Sequence, residues 1–128
     1  MPITSKVEKK RNLTIFTLTG DLTLDEIIGA LRSFWEGGEL TLHTLWDTQH
    51  AVVKNLKSSD IENIACFIGQ NRNRLGKRKD GKAAIVASTD LQYGLSRVLG
   101  TLYERENVPV RLHPFRSMDE AIRWLNQS

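Results

Sequence analysis

The segment Gly81–Glu106 (GKAAIVASTDLQYGLSRVLGTLYERE) constrains the fold more than any other part of the chain. Its first residues, Lys82 to Ala87, form a short and nearly all-apolar run, which is typical of a parallel strand covered on both faces. Thr89 and Gln92 then have the spacing of a capping box, the signal that begins a helix. Five apolar residues follow at helical spacing, namely Leu91, Leu95, Val98, Leu99 and Leu102. The segment therefore predicts one strand, one tight turn and one long helix with an apolar face.

The same start signal recurs three times elsewhere in the chain. The pairs are Thr23 with Glu26, Ser59 with Glu62, and Ser117 with Glu120. Each precedes a stretch with helical apolar spacing, so we predict further helices over residues 24–35, 59–74 and 118–125.

Short apolar or alternating runs separate these helices and predict the remaining strands. The runs are Ile3–Lys9, Leu13–Thr19, Leu40–Asp47 and Val108–His113, and we expect Gln49–Lys57 to be an irregular surface connection. The predicted order is β-β-α-β-α-β-α-β-α. Alternating strands and helices favour a mostly parallel sheet. We therefore predict an α/β fold with a single five-stranded sheet, whose first strand pairs antiparallel with the second as a hairpin.

Length and composition favour a single cytoplasmic domain covering residues 1–128. The chain is 40% hydrophobic and 26% charged, as in ordinary globular proteins. No apolar run reaches the roughly 18 residues that a membrane span needs, and we see no signal peptide. Cys66 is the one cysteine, which excludes an internal disulfide. The net charge of +3 is unevenly placed, because six basic residues and one acid lie between Arg72 and Lys82.

The C-terminal half resembles the bacterial STAS-like family, which is related to anti-sigma-factor antagonists and has been compared with lipid-binding CRAL-TRIO domains. The resemblance rests on Gly81–Val86, Asp90–Arg97, Val110–Arg116 and Asp119–Leu125. It implies the STAS-like fold and a role in regulatory binding. In the wider family a serine at the start of the second helix can be phosphorylated to switch partner binding, and the resemblance places Ser58 and Ser59 there. The alternative is that Ser59 is simply the N-cap of this helix.

The carboxyl edge of the predicted sheet gathers the turns in which a strand leads into a helix. Open α/β sheets bind ligands at this edge, and Asp47 and Asp90 lie there. Helix N-termini favour anions, but aspartates compete for the same amides and no glycine-rich phosphate motif is present. The three histidines, His43, His50 and His113, lack metal-ligand spacing. We expect turn formation and capping to account for most of these residues, and we expect no metal and no cofactor.

Tyr93, Gly94 and Arg97 share the first turns of the helix that follows residue 89. Gly94 and Gly100 each cost about 1 kcal/mol in a helix interior relative to alanine. Close approach of a neighbouring element would compensate for this cost. Alternatively, a gap beside Gly94 admits a ligand or partner, with Tyr93 and Arg97 at its rim.

These patterns favour a non-enzymatic, regulatory protein–protein interaction module. We expect its binding surface around Ser58, Ser59 and the neighbouring helix, and a protein partner or self-association. The alternative is a small-molecule or lipid-binding domain with an apolar pocket near helix 90–104. An enzyme that uses the carboxyl-edge aspartates is a more remote alternative. The basic segment carries no interleaved aromatics, so we expect no nucleic-acid partner.

Overall fold

The computed structural model describes residues 2–37, 40–74 and 79–127. The strands are β1 (Ile3–Glu8), β2 (Leu13–Asp21), β3 (His43–Val52), β4 (Lys82–Val86) and β5 (Arg111–Phe115). The helices are α1 (Leu24–Glu36), α2 (Ser58–Gln70), α3 (Asp90–Arg105) and α4 (Met118–Leu125). This is the predicted order of elements. Of the basic segment that the sequence singles out, Lys77 and Arg78 lie outside the described residues.

The five strands form one sheet in the order β1-β2-β3-β4-β5. β1 pairs antiparallel with β2, and every other neighbouring pair is parallel. A 3-10 turn joins the hairpin and ends at Asn12, whose backbone is left-handed with φ 52°. The predicted mixed sheet with an antiparallel first strand is therefore confirmed.

The helices are distributed unequally over the two faces of the sheet. Because consecutive strands are neighbours, all parallel crossovers run in one direction, and right-handed connections place α1, α2 and α3 on the same face. Their apolar side chains pack in one core with Phe16, Leu18 and Trp46. α4 packs on the opposite face, where Ala121 and Leu125 join a second core. The larger core is thus enclosed by the sheet and three helices.

The strands differ from the sequence prediction in their bounds, by one or two residues at β1, β2 and β4 and by more at β3 and β5, which begin at His43 and Arg111. β3 continues to Val52, through part of the predicted irregular connection, because Gly20 and Asp21 extend β2 and pair with Ala51 and Val52. β5 includes Pro114, whereas the sequence predicts that the strand ends at His113. β5 lies at the edge of the sheet, where a proline removes no necessary ladder hydrogen bond.

Three of the four predicted N-caps are confirmed, and one is wrong. The hydroxyls of Thr23, Thr89 and Ser117 each accept a hydrogen bond from the backbone N–H three residues later. Ser59 instead lies inside α2, which begins at Ser58. At this terminus Asp60 replaces the predicted pair, since its Oδ2 accepts a hydrogen bond from the Lys57 N–H at 2.9 Å.

The face of α3 that meets the core is rotated relative to the predicted one, because Leu95, Leu99 and Leu102 pack inward as predicted but Leu91 and Val98 do not. Gln92, Ser96 and Leu102 are buried, whereas Leu91 and Val98 are 50% and 47% exposed. Apolar spacing alone does not reveal that a polar side chain is needed inside the fold. That side chain is Gln92, whose contacts are described below.

Candidate functional site

The turn from β4 into α3 is fixed by the side chain of Gln92, which is 4% exposed. Its Oε1 accepts hydrogen bonds from the backbone N–H groups of Ser88 and Thr89 at 3.0 and 3.2 Å. Its Nε2 donates to the carbonyl oxygens of Thr48 and Ala51 at 2.8 and 2.9 Å. Gln92 therefore completes the predicted capping box and also ties the start of α3 to the end of β3.

A second cluster lies at the outer side of the same turn. The guanidinium of Arg116, which follows β5, lies 4.3 Å from the centre of the Tyr93 ring. Its Nη2 is 3.0 Å from Oδ1 of Asp90, whose side chain is 97% exposed. An ion pair this exposed contributes little to stability. The cluster does, however, bring Tyr93 and Asp90 together, as the sequence predicted for two of the rim residues.

The other predicted rim residues lie apart from this cluster. Asp47 pairs with Val86, which faces α4, so its side chain belongs to the opposite face of the sheet from α3. Its Oδ1 accepts hydrogen bonds from the backbone N–H and the Nε2 of Gln49 at 3.1 and 3.0 Å. Arg97 is exposed on α3. The five predicted residues therefore do not converge on one pocket.

Gly94 is not explained by close packing. A Cβ atom built on Gly94 would meet nothing within 4 Å, so the expected close approach of a neighbour is wrong at this position. At Gly100 a Cβ would lie 3.6 Å from the carbonyl oxygen of Leu112, an ordinary van der Waals contact. The helix backbone at Gly94 is therefore uncovered on the outer surface of α3.

Leu91, Gly94 and Val98 form what we call the α3 stripe. Their spacing of i, i+3 and i+7 places them on one outward side of the helix. Leu91 and Val98 are two of three large hydrophobic side chains that are exposed in the described part of the chain, the third being Val52. α2 packs beside α3, and Arg105 of α3 forms an ion pair with Glu62 of α2 at 3.3 Å. Val98 and Arg105 are seven residues apart and so lie on the same side of α3, which places the stripe on the side of α3 that meets α2.

Ser58 and Ser59 are the first two residues of α2 and precede Glu62 by about one turn. Both are exposed, and neither hydroxyl has a hydrogen bond to another described residue. Because Asp60 satisfies the Lys57 N–H, the two serines are not needed to cap the helix. Their hydroxyls are accessible for modification or for contact with a partner.

An apolar cavity of about 100 Å³ lies on the inner side of α3, between the sheet and α1, α2 and α3. Its walls include Leu18, Leu31, Ile64, Leu95 and Leu99. Tyr93, Gly94 and Arg97 do not line it, so the pocket beside α3 is not the gap that the sequence placed at Gly94.

The few polar side chains in the cavity wall already have partners. The Thr48 hydroxyl donates to the carbonyl oxygen of Val86 at 2.7 Å, and the Ser96 hydroxyl donates to that of Gln92 at 2.8 Å. The Gln92 amide is fully used by the contacts described above. The cavity therefore offers apolar contacts and few free hydrogen-bonding groups.

Lys82 is a buried charge on the opposite face of the sheet, 4% exposed. Its Nζ donates to the carbonyl oxygens of Trp124 and Gln127 at 2.8 and 2.5 Å, and these belong to the end of α4 and the residues after it. Burial lowers the pKa of this amine below 10.5, and the nearby charge of Arg111 lowers it further. Lys82 thus caps the C-terminus of α4.

Within the described ranges, no group of three or more His, Cys, Asp or Glu side chains is arranged to hold a metal ion. None of the helices in those ranges has the length and apolar character that crossing a membrane requires.

The sequence alternative of an apolar pocket near helix 90–104 has a counterpart in this cavity, but its position on the inner side of α3 and the internal role of Gln92 were not predicted. A usable signal was present for Gln92, because Gln92, Ser96, Leu99 and Tyr103 also share one helical face. The face with Gln92 is less apolar than the face with Leu91 and Val98. It turns inward because its amide bonds to carbonyl oxygens of β3.

Comparison with known proteins supports the fold. No family model matches the chain, and no curated protein matches it. Among solved structures, the chain is similar to a crystal structure of an uncharacterised protein from the DUF3478 family with a SpoIIAA-like fold from Shewanella loihica. The TM-score is 0.56 at 19% sequence identity, and the match covers 96% of this chain and 91% of that chain. The predicted STAS-like architecture is therefore confirmed, and the chain has a SpoIIAA-like fold.

Proposed function

We propose that this chain is a cytoplasmic, non-enzymatic regulatory module that binds a protein partner through the α3 stripe and the adjoining start of α2. The observation that carries the proposal is the half-exposure of Leu91 and Val98 on one side of α3, with Gly94 open between them. Apolar side chains scattered over a surface are normal, but Leu91 and Val98 lie two turns apart on one side of α3, so a partner that covers this side contacts both.

The stripe can supply a measurable part of a binding free energy. Complete burial of a leucine or valine side chain is worth about 1.5–3 kcal/mol, and about half of each side chain remains exposed. Covering both therefore contributes about 2 kcal/mol, which corresponds to roughly a thirtyfold change in Kd. Gly94 lets the partner approach the helix backbone between the two side chains.

Ser58 and Ser59 provide a means of regulating this surface. A phosphate on either serine would add a charge of about −2 at the start of α2, where the helix dipole tolerates an anion. Asp60 is already negative in the same turn, so the phosphate would make this part of the surface strongly acidic. We expect a partner that binds the unmodified surface to be released.

The experiment is site-specific photo-crosslinking in cells that make the protein. A photoreactive benzoyl-phenylalanine at position 98 should form one discrete crosslinked product, and the additional change Leu91→Ser should reduce its yield strongly. The matched control places the same group at Arg123, which is exposed on α4 at the other face of the sheet. A product containing two copies of this chain would identify self-association.

Equal crosslinking at positions 98 and 123, or a yield unaffected by Leu91→Ser, would contradict the proposed surface. The regulatory part is tested separately by Ser58→Asp and Ser59→Asp, with Ser58→Ala and Ser59→Ala as controls. If the aspartate variants crosslink as efficiently as the alanine variants, the serines do not control binding.

The cavity supports a second candidate function, the binding of a small apolar ligand. An engineered cavity of about 150 Å³ in another protein binds benzene and xenon, so a space of about 100 Å³ is suited to a guest of similar or smaller size. Because the polar groups identified in its wall are already paired, the favoured guest is a hydrocarbon or a short alkyl segment rather than a polar metabolite.

Benzene and xenon are suitable probes for this candidate. NMR titration of the purified chain should shift signals of Leu95 and Leu99, and the cavity-filling change Ile64→Phe should abolish the shifts. Native mass spectrometry of freshly purified protein would detect a retained ligand. Unchanged spectra at saturating benzene together with an unmodified mass would exclude this function and leave the docking proposal intact.

A further inference from the structure

β1 lies at the edge of the sheet, with β2 as its one neighbouring strand in the described ranges. The carbonyl oxygen of Pro2 accepts a hydrogen bond from the backbone N–H of Thr19 at 2.8 Å, so the backbone of Pro2 faces β2. Backbone groups alternate in direction along a strand, and those of Ile3, Ser5 and Val7 therefore point away from β2. This outward row can pair with another strand.

A groove of about 740 Å³ runs beside β1, between this strand and α1. A Cβ atom built on Gly29 of α1 would meet nothing within 4 Å, so small residues of the helix leave room next to the strand. Directly opposite side chains of an antiparallel pair lie on the same face of the sheet, so a strand added to β1 would place side chains along this groove. The groove walls include Ile3, Val7, Phe16, Gly29 and Ala30.

The two ends of this edge carry opposite charge. The turn Lys9–Arg11 after β1 has three basic residues, and Glu8 offsets one of them, so this end is net positive. At the other end, Asp21 closes β2, and Asp25 and Glu26 lie in the first turn of α1. Antiparallel pairing of two copies around a two-fold axis brings the basic end of each beside the acidic end of the other, which favours the association.

We propose that two copies of this chain pair through β1 and form a dimer with one continuous sheet. The two-fold axis passes at Ser5, so Ser5 pairs with Ser5 of the other copy and Ile3 pairs with Val7. This register uses every outward N–H and C=O of the three residues and places apolar side chains opposite each other on the groove side.

The residues that alternate with this row favour the same register. Lysine on an edge strand usually opposes pairing, but here Lys6 lies opposite Thr4 of the other copy. An axis at Lys6 would place two lysines directly opposite, and an axis at Thr4 would place Ile3 opposite Ser5, so both registers are less favourable.

The β1 edge is separate from the α3 stripe. α3 packs on β5, which forms the opposite edge of the sheet. The dimer therefore leaves both stripes accessible and presents two of them to a partner. The inference concerns a different surface from the docking and ligand-binding functions proposed above and goes beyond both.

Cysteine cross-linking tests the pairing and its register. In a chain that carries Cys66→Ala, the change Ser5→Cys places two thiols at the axis, where Cα atoms about 5.5 Å apart suit a disulfide. Mild oxidation should convert most of this variant to a covalent dimer. Thr4→Cys is the matched control on the same exposed strand, because its counterpart lies diagonally at about 7–8 Å, beyond disulfide reach. Equal yields from the two variants, or no dimer from Ser5→Cys, would overturn the proposal.

Sedimentation velocity of the unmodified chain is a second test that does not depend on the folding of a variant. We expect twice the 14.5 kDa mass of one copy, and a twofold drop in mass for Ser5→Pro, which removes only an outward N–H. Circular dichroism should show that Ser5→Pro keeps its fold, and Leu91→Ser in the α3 stripe should leave the dimer intact. A single-copy mass for the unmodified chain, or a dimer that Leu91→Ser dissociates, would refute pairing through β1.

Discussion

The side chain of Gln92 is the clearest test of how α3 is held on the sheet. The change Gln92→Met keeps the length of the side chain and removes its amide. It eliminates two hydrogen bonds to the carbonyl oxygens of Thr48 and Ala51 and two from the N–H groups of Ser88 and Thr89.

The expected loss of stability follows from these four hydrogen bonds. Each intramolecular hydrogen bond contributes a net of about 0.5–1.5 kcal/mol, and a buried group left unpaired costs about 1–3 kcal/mol. Ser88 and Thr89 are exposed, so water can replace the amide at their N–H groups. The two carbonyl groups of β3 therefore dominate, and we expect a loss of about 3 kcal/mol in the free energy of unfolding, or roughly 10 °C in Tm.

Urea unfolding followed by tryptophan fluorescence and circular dichroism measures this loss. The matched control is Gln70→Met, the same chemical change at an exposed position at the end of α2, which should alter the free energy of unfolding by less than about 0.5 kcal/mol. The two variants should have similar m values. A loss below about 1 kcal/mol for Gln92→Met would refute the reasoning, because the amide would then be only a replaceable cap.

Two further predictions concern single residues. Gly94→Ala should raise the free energy of unfolding by about 0.5–1 kcal/mol, since the new methyl group meets nothing and alanine favours the helix. Gly69→Ala should give no such gain in the same urea experiment, because its Cβ would lie 3.1 Å from Cβ of Glu106; equal gains would contradict the packing described. Lys82 has a lowered pKa in the folded chain, so the unfolded chain binds more protons, and stability relative to Lys82→Met should rise as pH increases toward 10.5. A pH-independent difference in urea unfolding between the two chains, equal to that for the exposed control Lys79→Met, would contradict burial of this amine.

Local sequence signals were sufficient to predict the fold. Capping pairs and apolar runs located all four helices and all five strands. Both signals are local, because each depends on residues that are only a few positions apart in the sequence. The same locality explains the errors. β3 extends to Val52 because residues at the end of β2 pair with it, and the sequence of β3 contains no indication of that pairing. The N-cap of α2 was misplaced because Asp60 and Glu62, two residues apart, are both acidic residues that can accept the hydrogen bond at the start of the helix.

The candidate site was predicted less well, since it depends on which side of α3 faces the sheet. Two faces of this helix have helical periodicity, one with Leu91 and Val98 and the other with Gln92 and Ser96. Hydrophobicity favours the first face, but the carbonyl groups of Thr48 and Ala51 at the end of β3 accept hydrogen bonds from the Gln92 amide. The contact spans more than forty residues of sequence, so no local pattern contains it.

The orientation of α3 explains why one helix supports two candidate functions. With Gln92 directed inward, Leu95 and Leu99 line the apolar cavity, while Leu91 and Val98 remain on the outside. Rotating the helix to bury the more apolar face would remove the exposed stripe and would leave the amide of Gln92 without its partners. The energetic cost of exposing two apolar side chains is about 2 kcal/mol, which is comparable to the stabilisation from the hydrogen bonds of Gln92. The hydrogen bonds that connect α3 to β3 therefore offset the cost of leaving Leu91 and Val98 exposed. We expect a partner to bind at this exposed apolar surface.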